Sequence, residues 1–235
     1  MITESILELR NVSASYGAIE VLHDVTINVR KGEVVALLGP NGAGKTTTIK
    51  VACGLMRPIS GSLHIAAQDV TGVPANALAR VGVCTIPEGR GIFPNLYVRD
   101  NIIMAARDRA GIGIIEERSY ARFPILKERR DQLAGTLSGG QQQMLSLARG
   151  LATDPVVLML DEMSMGLAPL VVAELYEQVT AIAESGVSVL VVEQFARTVL
   201  GVADSAVVLS HGHVRYVGPA DALDDETLSR AYLGS

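Results

Sequence analysis

Hydrophobic and polar positions along this chain change their period several times, and each change marks an element. Leu7 and Leu9 alternate with Glu8 and Arg10, and Val25, Ile27 and Val29 alternate with Thr26, Asn28 and Arg30. A period of two turns one side of each segment inward, so residues 5–30 are expected to form strands. After a Lys31-Gly32 turn, the stretches 33–38, 81–86, 156–160 and 187–192 are almost continuously apolar. Short runs of that kind suit strands covered on both faces. From about Tyr97 to Gly150 the spacing becomes helical, as in Ile102, Ile103 and Ala106 and again in Met144, Leu145 and Ala148. Three or four helices are expected there. Helices are also expected from about Lys45 to Cys53, between the last two apolar runs, and at the C-terminus. Ala206–Leu209 and Val214–Val217 are expected to pair as a hairpin around His211-Gly212.

Three short segments carry chemistry. Gly39-Pro40-Asn41-Gly42-Ala43-Gly44-Lys45-Thr46 fits the phosphate-loop pattern G-x-x-x-x-G-K-[ST], between an apolar strand and a helix as that pattern requires. Its glycines let backbone N–H groups converge on phosphate oxygens, and the helix behind it turns its positive end toward the same anion. Lys45 would supply a full charge to the β and γ phosphates, Thr46 a hydroxyl for Mg²⁺, and Thr47 continues the same first turn. Asp161 and Glu162 close the strand 156–160. A carboxylate at Asp161 can hold Mg²⁺, and Glu162 stands where a base can polarise an attacking water. The third segment, Leu137-Ser138-Gly139-Gly140-Gln141, places two glycines at a helix start, which costs stability unless backbone groups must approach something closely.

In this order the three segments resemble the ATP-binding cassette (ABC) family of transport ATPases, and the resemblance covers essentially the whole chain. It implies an α/β fold: a P-loop NTPase, RecA-like core with an antiparallel β sub-domain and a helical insert. Residues 1–88 and 154–235 would form the core and 89–153 the insert, in one cassette. It implies that ATP and Mg²⁺ are the cofactors, with Thr46, Glu88 and Asp161 at the metal. Tyr16 would stack on adenine. Ser138, Gly139, Gly140 and Gln141 would close over the γ-phosphate of an ATP held by a second ABC subunit. The loop Ser164-Met165-Gly166-Leu167 after the acidic pair also matches.

Three positions depart from the general family pattern. Glu88 stands for the usual Gln after the strand–Pro step, Gln194 for a His after the last core strand, and Ala168 for an Asp in the loop beyond Glu162. Gln194 keeps a donor toward the γ-phosphate but cannot titrate near neutral pH, which leaves the base role to Glu162. The alternative is a weak site that relies on a partner. Ile86–Leu96, Gly166–Pro169 and Val192-Glu193-Gln194 resemble the shorter ATPase subunit of branched-chain amino-acid importers, with urea and short-amide importers close by. Met163 stands where that branch usually has Pro. The resemblance implies transmembrane permease subunits, an indirect link to a solute-binding protein, a peripheral position on the cytoplasmic face of the membrane, and pairing with a second ABC ATPase in a homo- or heterodimer; the three departures favour the heterodimer. Phe93 and Leu96 are the expected docking residues for the permease.

Composition narrows the field further. The chain has 235 residues, 49% hydrophobic and 4% aromatic, with no Trp, which suits an Ala/Val/Leu-rich α/β interior. A net charge of -5 gives no bulk attraction to nucleic acid, which disfavours a cassette that acts on DNA or the ribosome. Intact Lys45, Thr46, Asp161 and Glu162 disfavour a purely regulatory nucleotide-binding subunit. No signal peptide is expected, and no apolar run of about 18 residues occurs in the sequence. Cys53 and Cys84 are expected as buried, reduced thiols. His211 and His213 are expected simply to be solvated.

Overall fold

The computed structural model describes residues 4–89, 91–106 and 108–233; Arg90, in the segment that carries the importer resemblance, lies outside them. Two sheets form the scaffold. The first is antiparallel, in the order β2 (Ile19–Arg30), β1 (Ser5–Tyr16), β4 (Ser60–Ile65) and β5 (Gln68–Asp69). The second runs β10 (His213–Pro219), β9 (Ser205–Ser210), β3 (Val34–Leu38), β8 (Ser188–Glu193), β7 (Val157–Asp161) and β6 (Val83–Ile86). Its strands are parallel except for β10, which pairs antiparallel with β9 at one edge.

The unbroken apolar runs are explained by burial on both faces. In β3, Val34, Ala36 and Leu38 enter one core cluster while Val35 and Leu37 enter the other. The same division runs through β7 and β8. One core lies under the antiparallel sheet and α1 (Lys45–Ala52); the other lies under α6 (Gly139–Leu151) and α7 (Pro169–Glu184).

The helical stretch holds α3 (Val98–Ile103), α4 (Gly111–Arg122), α5 (Pro124–Glu128), a 3-10 turn at Ala134–Thr136, and α6. Several details were not foreseen. β6 and β7 start later than the apolar runs, because Val81 and Val156 are exposed at turns. β4, β5, α2 (Ala75–Arg80) and α8 (Ala196–Val199) carry too short a pattern to announce themselves. Cys53 is buried, but Cys84 is only half-buried. His213 stacks its ring on His23 at 4.6 Å, so it is not merely solvated. The chain ends in α9 (Asp225–Leu233).

Candidate nucleotide site

The carboxyl ends of adjacent parallel strands bring the site together. β3 delivers the phosphate loop, β7 delivers Asp161 and Glu162, and β8, lying between them, delivers Glu193 and Gln194. In the loop, Gly42 and Gly44 take φ values of 79° and 108°, which side-chain-bearing residues rarely adopt. A Cβ on Gly39 would lie 2.3 Å from the Leu209 carbonyl oxygen, so the loop can pack there only as glycine. Gly44 caps α1 without a side-chain hydrogen bond. The first N–H groups of α1, at Lys45, Thr46 and Thr47, therefore have no helical acceptor and face an anion site.

Lys45 is 5% exposed. Its Nζ donates to the carbonyl oxygens of Gly39 at 2.9 Å and Pro40 at 3.3 Å, and lies 3.4 Å from Glu162 Oε1. Glu162 sits at φ 47°, a strained backbone held by its N–H bond to the Val192 carbonyl at 2.9 Å. Glu162 also lines a cavity of about 630 Å³ with Glu88, Gln142, Gln143 and Met165. Tyr16 is exposed beside α1, where Lys50 Nζ donates to its hydroxyl at 3.1 Å and stands 5.3 Å from its ring centroid.

Asp161 is buried at the end of β7. Burial pushes its carboxyl up to about 6, and the neighbouring negative charges of Glu162 and Glu88 add to the shift against the pull of Lys45. The Asp161 carboxyl therefore feels two further negative charges against one positive one, a surplus that a divalent cation would relieve. The Thr46 hydroxyl has no partner among the described residues. No group of three or more His, Cys, Asp or Glu that could hold a metal occurs among them either. That donor set fits Mg²⁺, which takes one or two protein ligands and completes its shell with phosphates and water. Asp161 and Thr46 would hold the ion, and Glu88 lines the neighbouring cavity with Glu162. The bound ion would supply charge neutralisation at the phosphates.

The raised Asp161 carboxyl carries a stability prediction. A carboxyl whose folded pKa lies above its ordinary value stabilises the fold at low pH and loses that contribution as pH rises through about 6. The nucleotide-free Asp161→Asn protein should match wild type near pH 4 and exceed it by about 1–2 kcal/mol at pH 8. Urea unfolding at both pH values checks this; a gap of equal size at both would show that the carboxylate's charge is not the cause.

The second glycine segment also has a local role within the chain. Ser138 caps α6 by accepting from the Gln141 N–H, and the Gln141 side chain accepts from the Ser138 N–H at 3.1 Å, a reciprocal capping box. Gly140 is buried where a Cβ would meet Val171 Cγ1 at 2.4 Å. Ser138 itself is exposed, and no hydrogen bond links Ser138–Gln141 to the phosphate loop among the described residues.

Three contributors escaped the sequence reading. Gln143, buried on α6, donates to the Met163 carbonyl at 3.1 Å and so ties the helical layer to the loop after Glu162. Glu193 is 2% exposed and accepts from the Ser164 N–H at 3.1 Å, the Ser164 hydroxyl at 2.9 Å and the Tyr176 hydroxyl at 2.7 Å. Tyr232 donates to the Gln194 carbonyl at 2.9 Å. The Gln194 side chain is half-buried with no partner among the described residues. The only available signal for Glu193 was a charge inside an apolar strand.

A phosphate loop, a paired acidic strand end and an amide after the neighbouring strand define a P-loop nucleoside triphosphatase. The ABC transporter family matches residues 22–165, and the chain belongs to that family: it is an ATP-hydrolysing ABC transporter subunit. It is 40% identical over 231 residues to the high-affinity branched-chain amino acid transport ATP-binding protein BraG of Pseudomonas aeruginosa, covering 97% of this chain and 99% of BraG. It is 34% identical over 234 residues to the lipopolysaccharide export system ATP-binding protein LptB of Escherichia coli, covering 97% of each. The ADP conformation of MJ1267, an ATP-binding cassette of an ABC transporter, superposes with a TM-score of 0.87 at 24% identity, covering 99% of this chain and 100% of that one. No helix among the described residues is long and apolar enough to cross a membrane. As an ABC transporter ATPase, the chain works with membrane-embedded permease subunits.

Proposed function

We propose that this chain is the ATPase of an importer for branched-chain amino acids, and that it works on the cytoplasmic face of the membrane, paired with a second ABC ATPase. The full-length identity to BraG carries the solute class. The Glu88, Ala168 and Gln194 departures support pairing with a different ATPase. Exposed Ser138, together with Met165 and Leu170 at 54% and 73% exposure beside the acidic pair, supports a facing subunit that completes the site. In this reading Tyr16 stacks on adenine, and the phosphate loop with Lys45 holds the triphosphate. Thr46, Asp161 and Glu88 stand at Mg²⁺. Glu162 takes the proton of the attacking water, and Gln194 donates toward the γ-phosphate. The partner's counterpart of Ser138–Gln141 closes over it.

The permease is expected to dock on the segment before α3. Phe93 and Leu96 are exposed there at 42% and 36%, yet the segment is firmly held. The fully buried Asn101 accepts from the Phe93 N–H at 2.8 Å and donates to the Phe93 and Tyr97 carbonyls at 3.0 and 3.1 Å. Arg149 from α6 lies 4.6 Å from the Phe93 ring centroid, so pressure on Phe93 reaches the helix that Ser138 caps. Phe93→Ala should keep soluble ATPase activity and lower solute uptake several-fold, by about 1 kcal/mol of lost docking. Equal loss of both activities would sink the docking role.

Uptake of labelled leucine in cells that lack this gene, restored with wild type or with Glu162→Gln, tests the solute class. Loss of uptake, with rescue by wild type alone, is expected. A response of urea uptake alone would move the chain to amide import, and a lipopolysaccharide export defect with normal leucine uptake would move it toward LptB.

A further inference from the structure

A large cavity lies away from the nucleotide site. It encloses about 770 Å³ and shares no lining residue with the cavity beside Glu162. It lies at the opposite ends of the same strands: Val156 precedes β7, and Val187 precedes β8. Ile115, Arg122 and Phe123, from α4 and its end, and Leu151 of α6 form the facing wall. The volume falls in the range of roughly 300–1,000 Å³ that suits a small organic ligand.

The wall is largely apolar, with a few charges. Arg118 at this cavity is already paired with Asp154 at 3.0 Å. Arg122 is not. Its Nη1 is fully buried without a hydrogen-bond partner, and no ion pair involves Arg122 among the described residues. Arg122 thus lines the cavity as a cation with no carboxylate partner among the described residues. Lys31 stands exposed on the core side of the same cavity.

We propose that this cavity binds a small monocarboxylate with a compact apolar body. The carboxylate meets Arg122, whose planar edge matches two oxygens, and the body lies against Ile115, Phe123, Leu151 and Val187. A phosphate dianion suits the site less well, since Asp154 faces it and, among the described residues lining it, exposed Lys31 is the only other cation without an ion pair. One wall comes from α4 and α6 and the other from the core strands that carry the catalytic loops. An occupant therefore links the two layers and communicates with ATP through β7 and β8.

Hexanoate titrated into the full chain, with isoleucine δ1 methyls labelled for NMR, tests the site. Saturable shifts are expected at Ile6 and Ile115, which line the cavity, and not at Ile49 on α1. Arg122→Gln should weaken binding roughly ten-fold or more. Ala152→Phe, which fills the cavity, should abolish it. Hexanol and inorganic phosphate should leave both methyls unmoved. An unchanged Ile49 signal and retained ATP binding show that each variant is folded; if Arg122→Gln fails that control, Ala152→Phe decides. No saturable shift, equal affinity in the folded Arg122→Gln protein, binding retained by Ala152→Phe, or phosphate matching hexanoate would each overturn the proposal.

Discussion

Glu162→Gln is expected to lower ATP hydrolysis by about 10²–10⁴-fold, the range for loss of a positioned general base, with ATP binding intact. The amide has the size of the carboxylate and keeps its place in the cavity beside Glu88, but it cannot accept the water's proton. The backbone of Glu162 argues for the same role. A residue other than glycine at φ 47° costs roughly 1–3 kcal/mol, and such strain persists where neighbours fix it. Here the Val192 carbonyl fixes it through the Glu162 N–H. The Lys45–Glu162 pair at 3.4 Å shows that the carboxylate and the amine of the glycine-rich loop occupy one small volume. Phosphate release under saturating Mg-ATP, set beside calorimetric nucleotide binding, measures both halves. Normal turnover in Glu162→Gln together with lost turnover in Gln194→Ala would transfer the base role away from Glu162.

The second large effect is expected at Glu193, a positioning residue behind the acidic strand end. Glu193→Ala removes the single acceptor shared by the Ser164 N–H, the Ser164 hydroxyl and the Tyr176 hydroxyl. Ser164 and Tyr176 are themselves buried, at 7% and 2% exposure, so water cannot replace the carboxylate without a cavity. Burial, and then the Glu193 charge, already drive the Tyr176 hydroxyl far above the usual phenol range. Stranding these donors should cost about 3–5 kcal/mol, since buried unsatisfied donors cost 1–3 each and do not add fully. For a chain of this size the melting temperature should fall by about 10 °C or more. Glu193→Gln, which keeps one carbonyl oxygen, should lose less. Because Ser164 lies two residues beyond Glu162, and Gln194 follows Glu193, turnover in the surviving folded fraction should fall as well. Calorimetric melting and phosphate release on the same samples separate the two effects. A melting temperature unchanged in Glu193→Ala would mean that the three donors find other acceptors.

How far the sequence reaches differs from element to element. The stretches 33–38, 156–160 and 187–192 read as doubly covered strands because burial on both faces suppresses alternation, and β3, β7 and β8 lie there. The phosphate loop is legible because its glycines and Lys45 are contiguous, so one short segment contains its own geometry. Asp161 and Glu162 are legible as an acidic strand end. The β4–β5 pair and α2 are too short for a periodic signal and are fixed by pairing with β1 and packing against β6. Nor does the sequence show why Ser138, Gly140 and Gln141 stand where they do: the capping box is local, but the closeness of Gly140 to Val171 exists only after α6 and α7 have packed.

By itself, then, the sequence determined the class of chemistry, because phosphate binding is carried by residues adjacent along the chain. Tertiary structure decided the rest. The strand order β3-β8-β7 brings Lys45 to Glu162 across more than a hundred residues, and packing buries the Asp161 carboxyl, which raises it. It also buries Glu193 against Ser164 and Tyr176, and leaves Arg122 unpaired in a cavity between two layers. Burial and long-range charge are properties of packing, and no local pattern of residues encodes them.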